Sequence, residues 1–243
     1  MASPDNSQGR GFTRRALLGA LGAGGVAAWL AGCTSDGVTG LPNPPGMPLV
    51  PDRTGYAPPT PANQLGAPPT AVAANAFGII PRAAWTRVGP NLATIAPMNG
   101  VKLITFHHSG DPKPFAANDY AGTAQHLEYV REYHRSRNFQ DIGYHFAIDR
   151  MGRVWQLRSL AYQGEHVRNN NEHNIGIVAL GNFDLQAMTQ AQKDRIRTFG
   201  LLARKQYGLP IARVYTHQEI VSTECPGHDM QPYMVQVRRQ GLV

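Results

Sequence analysis

"VKLITFHHS", residues 101–109, is a short, mostly apolar run rich in β-forming side chains that ends on two adjacent histidines. Such a run suits a buried strand. Downstream, residues 118–134 place Leu127, Val130, Tyr133 and His134 at helical spacing, and Asn118 or Asp119 is available as the cap. "IGYHFAID" (142–149) alternates Tyr144, Phe146 and Ile148 against His145, Ala147 and Asp149, which predicts a strand. A turn at Met151–Gly152 leads into "RVWQL", so the pair is predicted to form a hairpin. "NIGIVALG" (174–181) is another buried strand. Thr189 and Gln192 form a capping box, followed by Ile196, Phe199, Gly200, Ala203 and Tyr207 on one helical face. Gly208 and Pro210 end that helix, "RVYTH" is a last short strand, and the tail after Pro232 is predicted as a short helix. Strands alternating with helices predict an α/β domain, a single mixed β-sheet flanked by helices.

The closing stretch "THQEIVSTECPG" (216–227) puts His217 and Cys225 in one loop. Zinc takes thiolate and imidazole at tetrahedral corners, and a catalytic site keeps one corner for water. A third ligand is available from His107 or His108. Neighbours on a strand point to opposite faces, so only one of them can serve, and spacing does not choose between them. A strand-end histidine pair and a buried cysteine are also ordinary core features.

The chain has 243 residues and a formal charge of +7. Its first segment, "RGFTRRALLGALGAGGVAAWLAGC", carries Arg10, Arg14 and Arg15 ahead of an apolar run shorter than the about 20 residues of a membrane span. Arg14 and Arg15 resemble a twin-arginine export signal, and "LAGC" resembles a bacterial lipobox, which makes Cys33 the expected lipidation site. Residues 1–32 are thus read as a twin-arginine lipoprotein-type signal peptide. Its removal takes away Arg10, Arg14, Arg15 and Asp5 and leaves a net charge of about +5. Acylation would commit Cys33, the other cysteine of the chain, and turn Cys225 toward metal rather than disulfide chemistry. Residues 33–78 are rich in Pro, Gly and Ala without apolar periodicity, and are read as a disordered tether. The folded domain is expected over 79–243. A mild positive charge suits an anionic polymer, whereas an exported chain without a basic cluster or aromatic-rich basic stripe is not a nucleic-acid binder.

Several segments in consistent order carry a resemblance: "IIPRAAWT" (79–86), "LITFHHSG", "HLEYVREYHRSRNFQDIGYHFAIDRMGRVWQLR", "GEHVRNNNEHNIGIVALGNF" and "THQEIVSTECPG". Together they resemble the peptidoglycan recognition proteins and phage-lysozyme-type (type 2) zinc N-acetylmuramoyl-L-alanine amidases, from about Ile79 to Met230. The resemblance implies zinc ligands His107, His217 and Cys225, with His108 turned away into packing. It implies Tyr144 and Thr223 as catalytic residues, the first aiding the attacking water or the oxyanion. His166 and Asn174 are implied substrate contacts. At position 178, where some relatives carry a Glu as proton shuttle, this chain has Val178.

The activity implied is zinc-dependent hydrolysis of the amide joining N-acetylmuramic acid to L-alanine, with peptidoglycan or muropeptides as partner. The alternative is a non-catalytic peptidoglycan-binding module, but members that only bind typically lack the cysteine ligand, which is present here. The expected setting is a monomer exported by the twin-arginine route and held by lipid in the periplasm or at the cell surface. Trp85 and Trp155 are expected in the core, His145 as structural, and His126, His134, His173 and His228 as exposed or satisfied.

Overall fold

The computed structural model describes residues 78–243; the expected signal, Cys33 and nearly all of the tether lie outside them. One mixed sheet organises the domain. In chain order its elements are β1 (Ile79–Ile80), β2 (Leu103–His108), α1 (Tyr120–Ser136), β3 (Phe146–Ile148), β4 (Val154–Gln156), β5 (Asn174–Ala179), α2 (Gln190–Gln206), β6 (Val214–Thr216) and α3 (Met230–Arg239). The strands lie in the order β1-β4-β3-β5-β2-β6. Only the β3–β4 hairpin is antiparallel; β1–β4, β3–β5, β5–β2 and β2–β6 are parallel. The helical connections between parallel strands impose this pattern, because a parallel neighbour cannot be reached by a tight turn. No helix among the described residues is long and apolar enough to cross a membrane.

Alternation along the strands sorts the two faces. Ile104 and Phe106 of β2 join Phe146, Ile148, Ile175 and Ile177 in a core covered by Ile196 and Phe199 of α2 and by Met230 and Met234 of α3. On the other face Ala147, Trp155, Leu157, Val178 and Leu180 pack with Leu127 of α1. Burying the larger of these side chains contributes about 1.5–3 kcal/mol each. Trp85 and Trp155 are both in this second core, at 8% and 0% exposure.

The caps follow from local chemistry. Asp119 accepts from the Gly122 amide at 2.7 Å and starts α1. Thr189 and Gln192 exchange their capping bonds at the head of α2, as the sequence predicts. The tail helix begins at Met230, before Pro232 rather than after it, which the first-turn position of that proline tolerates. The hairpin is shorter than its apolar pattern suggests. Tyr144 does not share a face with Phe146 and Ile148; it packs beside Ala147 in the α1-side core. Residues 142–145 fall outside the named strand, yet their backbone still bonds to both neighbours: His145 N–H donates to Gly176 O at 2.9 Å, and Leu157 N–H and Arg158 N–H donate to His145 O and Tyr144 O at 2.8 and 3.1 Å. Side chains add to this hold. The Arg158 guanidinium donates to Ile142 O at 2.8 Å, and His134 Nδ1 accepts from the Gly143 amide at 2.9 Å.

Gly152 closes the hairpin with φ of +73°, and a methyl built there would sit 2.6 Å from the Ala191 carbonyl oxygen. Gly152→Ala combines left-handed strain with a backbone clash, and should destabilise the domain by about 1–3 kcal/mol. A urea midpoint for the variant indistinguishable from the parent would refute this.

Candidate metal centre

Three elements deliver three donors to one point on the α1 side of the sheet. His107 is the penultimate residue of β2, and its alternation from Phe106 turns it away from the α2 core. His217 follows β6 directly, in a short 3-10 turn over His217–Glu219. Cys225 returns on the loop that this turn opens. Donor atoms of His107, His217 and Cys225 all lie within 4.8 Å of one another, and the residues are 0%, 0% and 1% exposed. Cys225 Sγ is 3.7 Å from His107 Nδ1. A tetrahedral zinc, with Zn–N near 2.0–2.1 Å and Zn–S near 2.3 Å, sets that edge at about 3.6 Å.

The donor set fits a metal on a second count. Neither ring nitrogen of His217 has a hydrogen-bond partner, although both are buried. Leaving such groups unmet costs about 1–3 kcal/mol each, and coordination by one nitrogen removes part of that penalty. Burial, reinforced by neighbouring histidines, drives the pKa of His217 down to about 3 and that of His107 well below its ordinary value. Both rings are therefore neutral, the form that ligates.

The loop holding Cys225 is built from within. Gln218 N–H donates to Cys225 O at 2.9 Å, and Cys225 N–H donates to Thr223 Oγ1 at 3.3 Å. Thr223 thus shapes the ligand turn through its hydroxyl oxygen. Glu219 anchors the other end: its carboxylate accepts from the Thr216 amide, from Gln231 and from Arg238. Gly227 has φ of +89°, and a methyl there would meet Phe183 C at 2.8 Å and His108 Nδ1 at 2.9 Å. His108 points to this opposite side, where its Nδ1 accepts from the Phe183 amide at 3.2 Å.

Tyr144 stands over the ligands with its ring 5.2 Å from that of His107. Its hydroxyl is buried without a hydrogen-bond partner, and burial together with the nearby Asp111 carboxylate pushes its pKa up. It is a neutral phenol with an O–H to give. Val178 is the ladder partner of His107 and is 2% exposed, so an apolar side chain fills the place beside the ligand.

His166 and Asn174 lie elsewhere than a groove wall. They are 3% and 0% exposed and bond to the protein: His166 Nδ1 is 3.0 Å from His107 Nε2, and Asn174 Oδ1 accepts from Thr105 at 2.9 Å. The structure buries His166 against His107 and Asn174 against Thr105. His145 is structural as expected, with Nδ1 accepting from the Gly176 amide and Nε2 donating to Tyr162 O. His134 is satisfied at Nδ1 by the Gly143 amide but not at Nε2. It is 2% exposed, and its ring lies 5.7 Å from that of Tyr144.

Two further residues escape a reading of the sequence. Arg158, 1% exposed, donates to the carbonyls of Asp141, Ile142 and Gln163 and pairs with Glu165, so it clamps the segments that present Tyr144 and His166. Asp111 is tied to Ser109 and lies 3.4 Å from His126 Nε2, close enough for its charge to act on Tyr144. No spacing rule marks an arginine in a strand-like run as buried.

The family model for N-acetylmuramoyl-L-alanine amidases (type 2) matches residues 97–228, more than half of the chain, and spans His107, His217 and Cys225. The chain belongs to this family. A peptidoglycan-recognition protein of Drosophila melanogaster is 31% identical to this amidase-family chain over 151 residues, covering 61% of it and 81% of that protein. The endolysin of Enterobacteria phage K11 is 27% identical over 108 residues, covering 43% and 72%. Among solved structures, bumblebee PGRP-SA superimposes with a TM-score of 0.57 at 25% identity, covering 66% of this chain and 93% of that one. The six-stranded sheet is thus the peptidoglycan recognition and type 2 amidase fold.

The buried imidazoles have a consequence for this family member's acid stability. Burial holds the pKa of His108 at about 4 and those of His134 and His166 at about 3. These folded values lie below the unfolded value near 6.5, so the unfolded state takes up protons first. Stability is complete above pH 6.5 and falls as pH drops toward 4, by about 1.4 kcal/mol per pH unit for each such group. Urea midpoints should fall steeply from pH 7 to pH 5; a flat profile over that window would contradict the burial argument.

Proposed function

We propose that this chain is a zinc-dependent amidase that cleaves the bond between N-acetylmuramic acid and L-alanine in peptidoglycan. The observation that carries the reading is the buried donor set His107, His217 and Cys225, with His217 unsatisfied and a neutral tyrosine hydroxyl above it. Zinc, when bound, supplies Lewis acidity toward the scissile carbonyl and lowers the pKa of water toward about 7. His107 and His217 enter as neutral imidazoles and Cys225 as the thiolate. Tyr144 holds its proton and donates a hydrogen bond where the carbonyl oxygen gains charge. Its raised pKa makes it a donor rather than a base. Val178 offers no carboxylate beside His107, so proton acceptance does not run through that position. Thr223 keeps the Cys225 turn in place.

The complete ligand set and the poised Tyr144 favour an enzyme over a non-catalytic peptidoglycan-binding module. In the cell, residues 1–32 would serve as a twin-arginine signal and Cys33 as the lipid anchor. Residues 33–78 would then hold the amidase domain, 79–243, within reach of the wall as a monomer.

Purified peptidoglycan digested with the reduced protein should release stem peptides beginning with L-alanine, detected by mass spectrometry. Chelator or Cys225→Ala should abolish release. Intact muropeptides from a zinc-loaded protein would instead establish the binding module. Tyr144→Phe separates catalysis from folding, because the hydroxyl it removes has no hydrogen-bond partner. Turnover should fall about 10²–10³-fold, the scale for loss of one oxyanion donor, with stability equal to or above the parent's. A Tyr144→Phe variant that cleaves at the parental rate would remove Tyr144 from the mechanism.

A further inference from the structure

His166 sits within a closed chain of polar contacts that begins and ends on β2. Its Nε2 is 3.2 Å from the Asn174 carbonyl oxygen, and its Nδ1 is 3.0 Å from His107 Nε2. A carbonyl oxygen only accepts, so His166 Nε2 must carry a hydrogen. The ring is only 3% exposed and its other nitrogen meets a second imidazole rather than a carboxylate, so in the neutral tautomer that the Asn174 contact fixes, Nδ1 bears the lone pair and accepts. Across that contact, His107 Nε2 must donate. The lone pair of His107 is thereby left on Nδ1, the nitrogen that faces Cys225 Sγ at 3.7 Å.

The remaining members of the chain fix its starting point. Asn174 Oδ1 accepts from Thr105 Oγ1 at 2.9 Å, and Asn174 Nδ2 donates to Asn170 O at 2.8 Å, so the carbonyl that orients His166 cannot drift. Asn171 Oδ1 accepts from the backbone amides of His166 and Val167 and holds the loop from the other side. His145, whose ring lies 5.8 Å from that of His166, has both nitrogens engaged and does not compete.

Two glycines make room for this one imidazole. A methyl at Gly164 would lie 2.3 Å from His166 Cδ2, and a methyl at Gly176 would lie 2.5 Å from the same atom. Neither glycine has a positive φ, so backbone conformation does not demand them. At Gly176 the space occupied by the ring does, and at Gly164 the ring does so together with the Gly143 carbonyl oxygen, 2.8 Å from the added methyl.

We propose that His166 is the positioning residue that sets the tautomer of His107 and so selects Nδ1 as its metal-binding nitrogen, with Gly164 and Gly176 present to seat its ring. This rests on the metal reading of the site and goes beyond it. A hydrogen-bonded partner fixes the ring orientation and raises the basicity of a ligating histidine.

Long-range 1H–15N correlation of the reduced, metal-free protein reads the tautomers directly. Both His107 and His166 should carry their hydrogen on Nε2; hydrogen on His107 Nδ1 overturns the proposal. Cobalt(II) titration, followed by the thiolate charge-transfer band, supplies the second measurement. His166→Leu should weaken cobalt binding about 10–100-fold, the usual cost of losing such a partner. Gly176→Ala, which displaces the ring without removing it, should do the same. His166→Gln should bind close to wild type, because its amide can accept from His107 and donate to Asn174 O. Circular dichroism checks folding. If His166→Leu does not fold, the contrast between His166→Gln and Gly176→Ala carries the test. A folded His166→Leu that takes up cobalt as tightly as wild type overturns the proposal alone, as does His166→Gln binding no better than Gly176→Ala. No cobalt uptake by the wild type withdraws the metal reading and the proposal with it.

Discussion

Three side chains able to bind a metal, His107, His217 and Cys225, buried at 0–1% exposure on one face of a sheet, are the constraint on which the site depends. Polar atoms in such a place are costly unless something satisfies them. His217 finds no hydrogen-bond partner for either nitrogen. The fold nevertheless delivers it to within 4.8 Å of donor atoms on an imidazole and a cysteine, close enough for the three to share one ion. A protein that only needed stability would fill this point with carbon, as it does at Val178 one strand away. The energetic penalty sets this point apart from the apolar core around it.

Much of the surrounding architecture holds these groups still. Glu219 collects three donors and anchors the turn that begins at His217. Gly227 lets the chain turn back past His108 and Phe183. Arg158 gathers the carbonyls of 141, 142 and 163, fixing the segments that carry Tyr144 and His166. Hydrogen bonds made by a buried guanidinium are among the stronger ones in a protein. The backbone at 142–145 is therefore held both by the Arg158 side chain and by its own bonds to Gly176, Leu157 and Arg158, while Tyr144 gains a direction that strict alternation would deny.

Legibility varies by residue type. The apolar runs around Ile104 and Ile175, the Thr189–Gln192 capping box and the Met151–Gly152 turn are all readable, because each depends on neighbours within a few positions. His107 and His108 are not separable by spacing; the ladder register decides between them, by turning one toward Val178 and the other toward Phe183. His166 and Asn174 read as substrate contacts, yet their polar atoms bond inward. His134 reads as an exposed or satisfied side chain; it is buried beside Tyr144, with Nδ1 bonded to the Gly143 amide and Nε2 left without a partner.

Local chemistry determined the elements, their caps and the residue types able to hold a metal, since propensity, capping and ligand softness belong to short stretches of chain. Only the tertiary structure decided which histidine joins Cys225, which nitrogen it presents and which buried groups orient it. Those outcomes turn on contacts between residues about 60 to 120 positions apart, where a strand's register and the absence of a single Cβ at Gly176 settle what meets what.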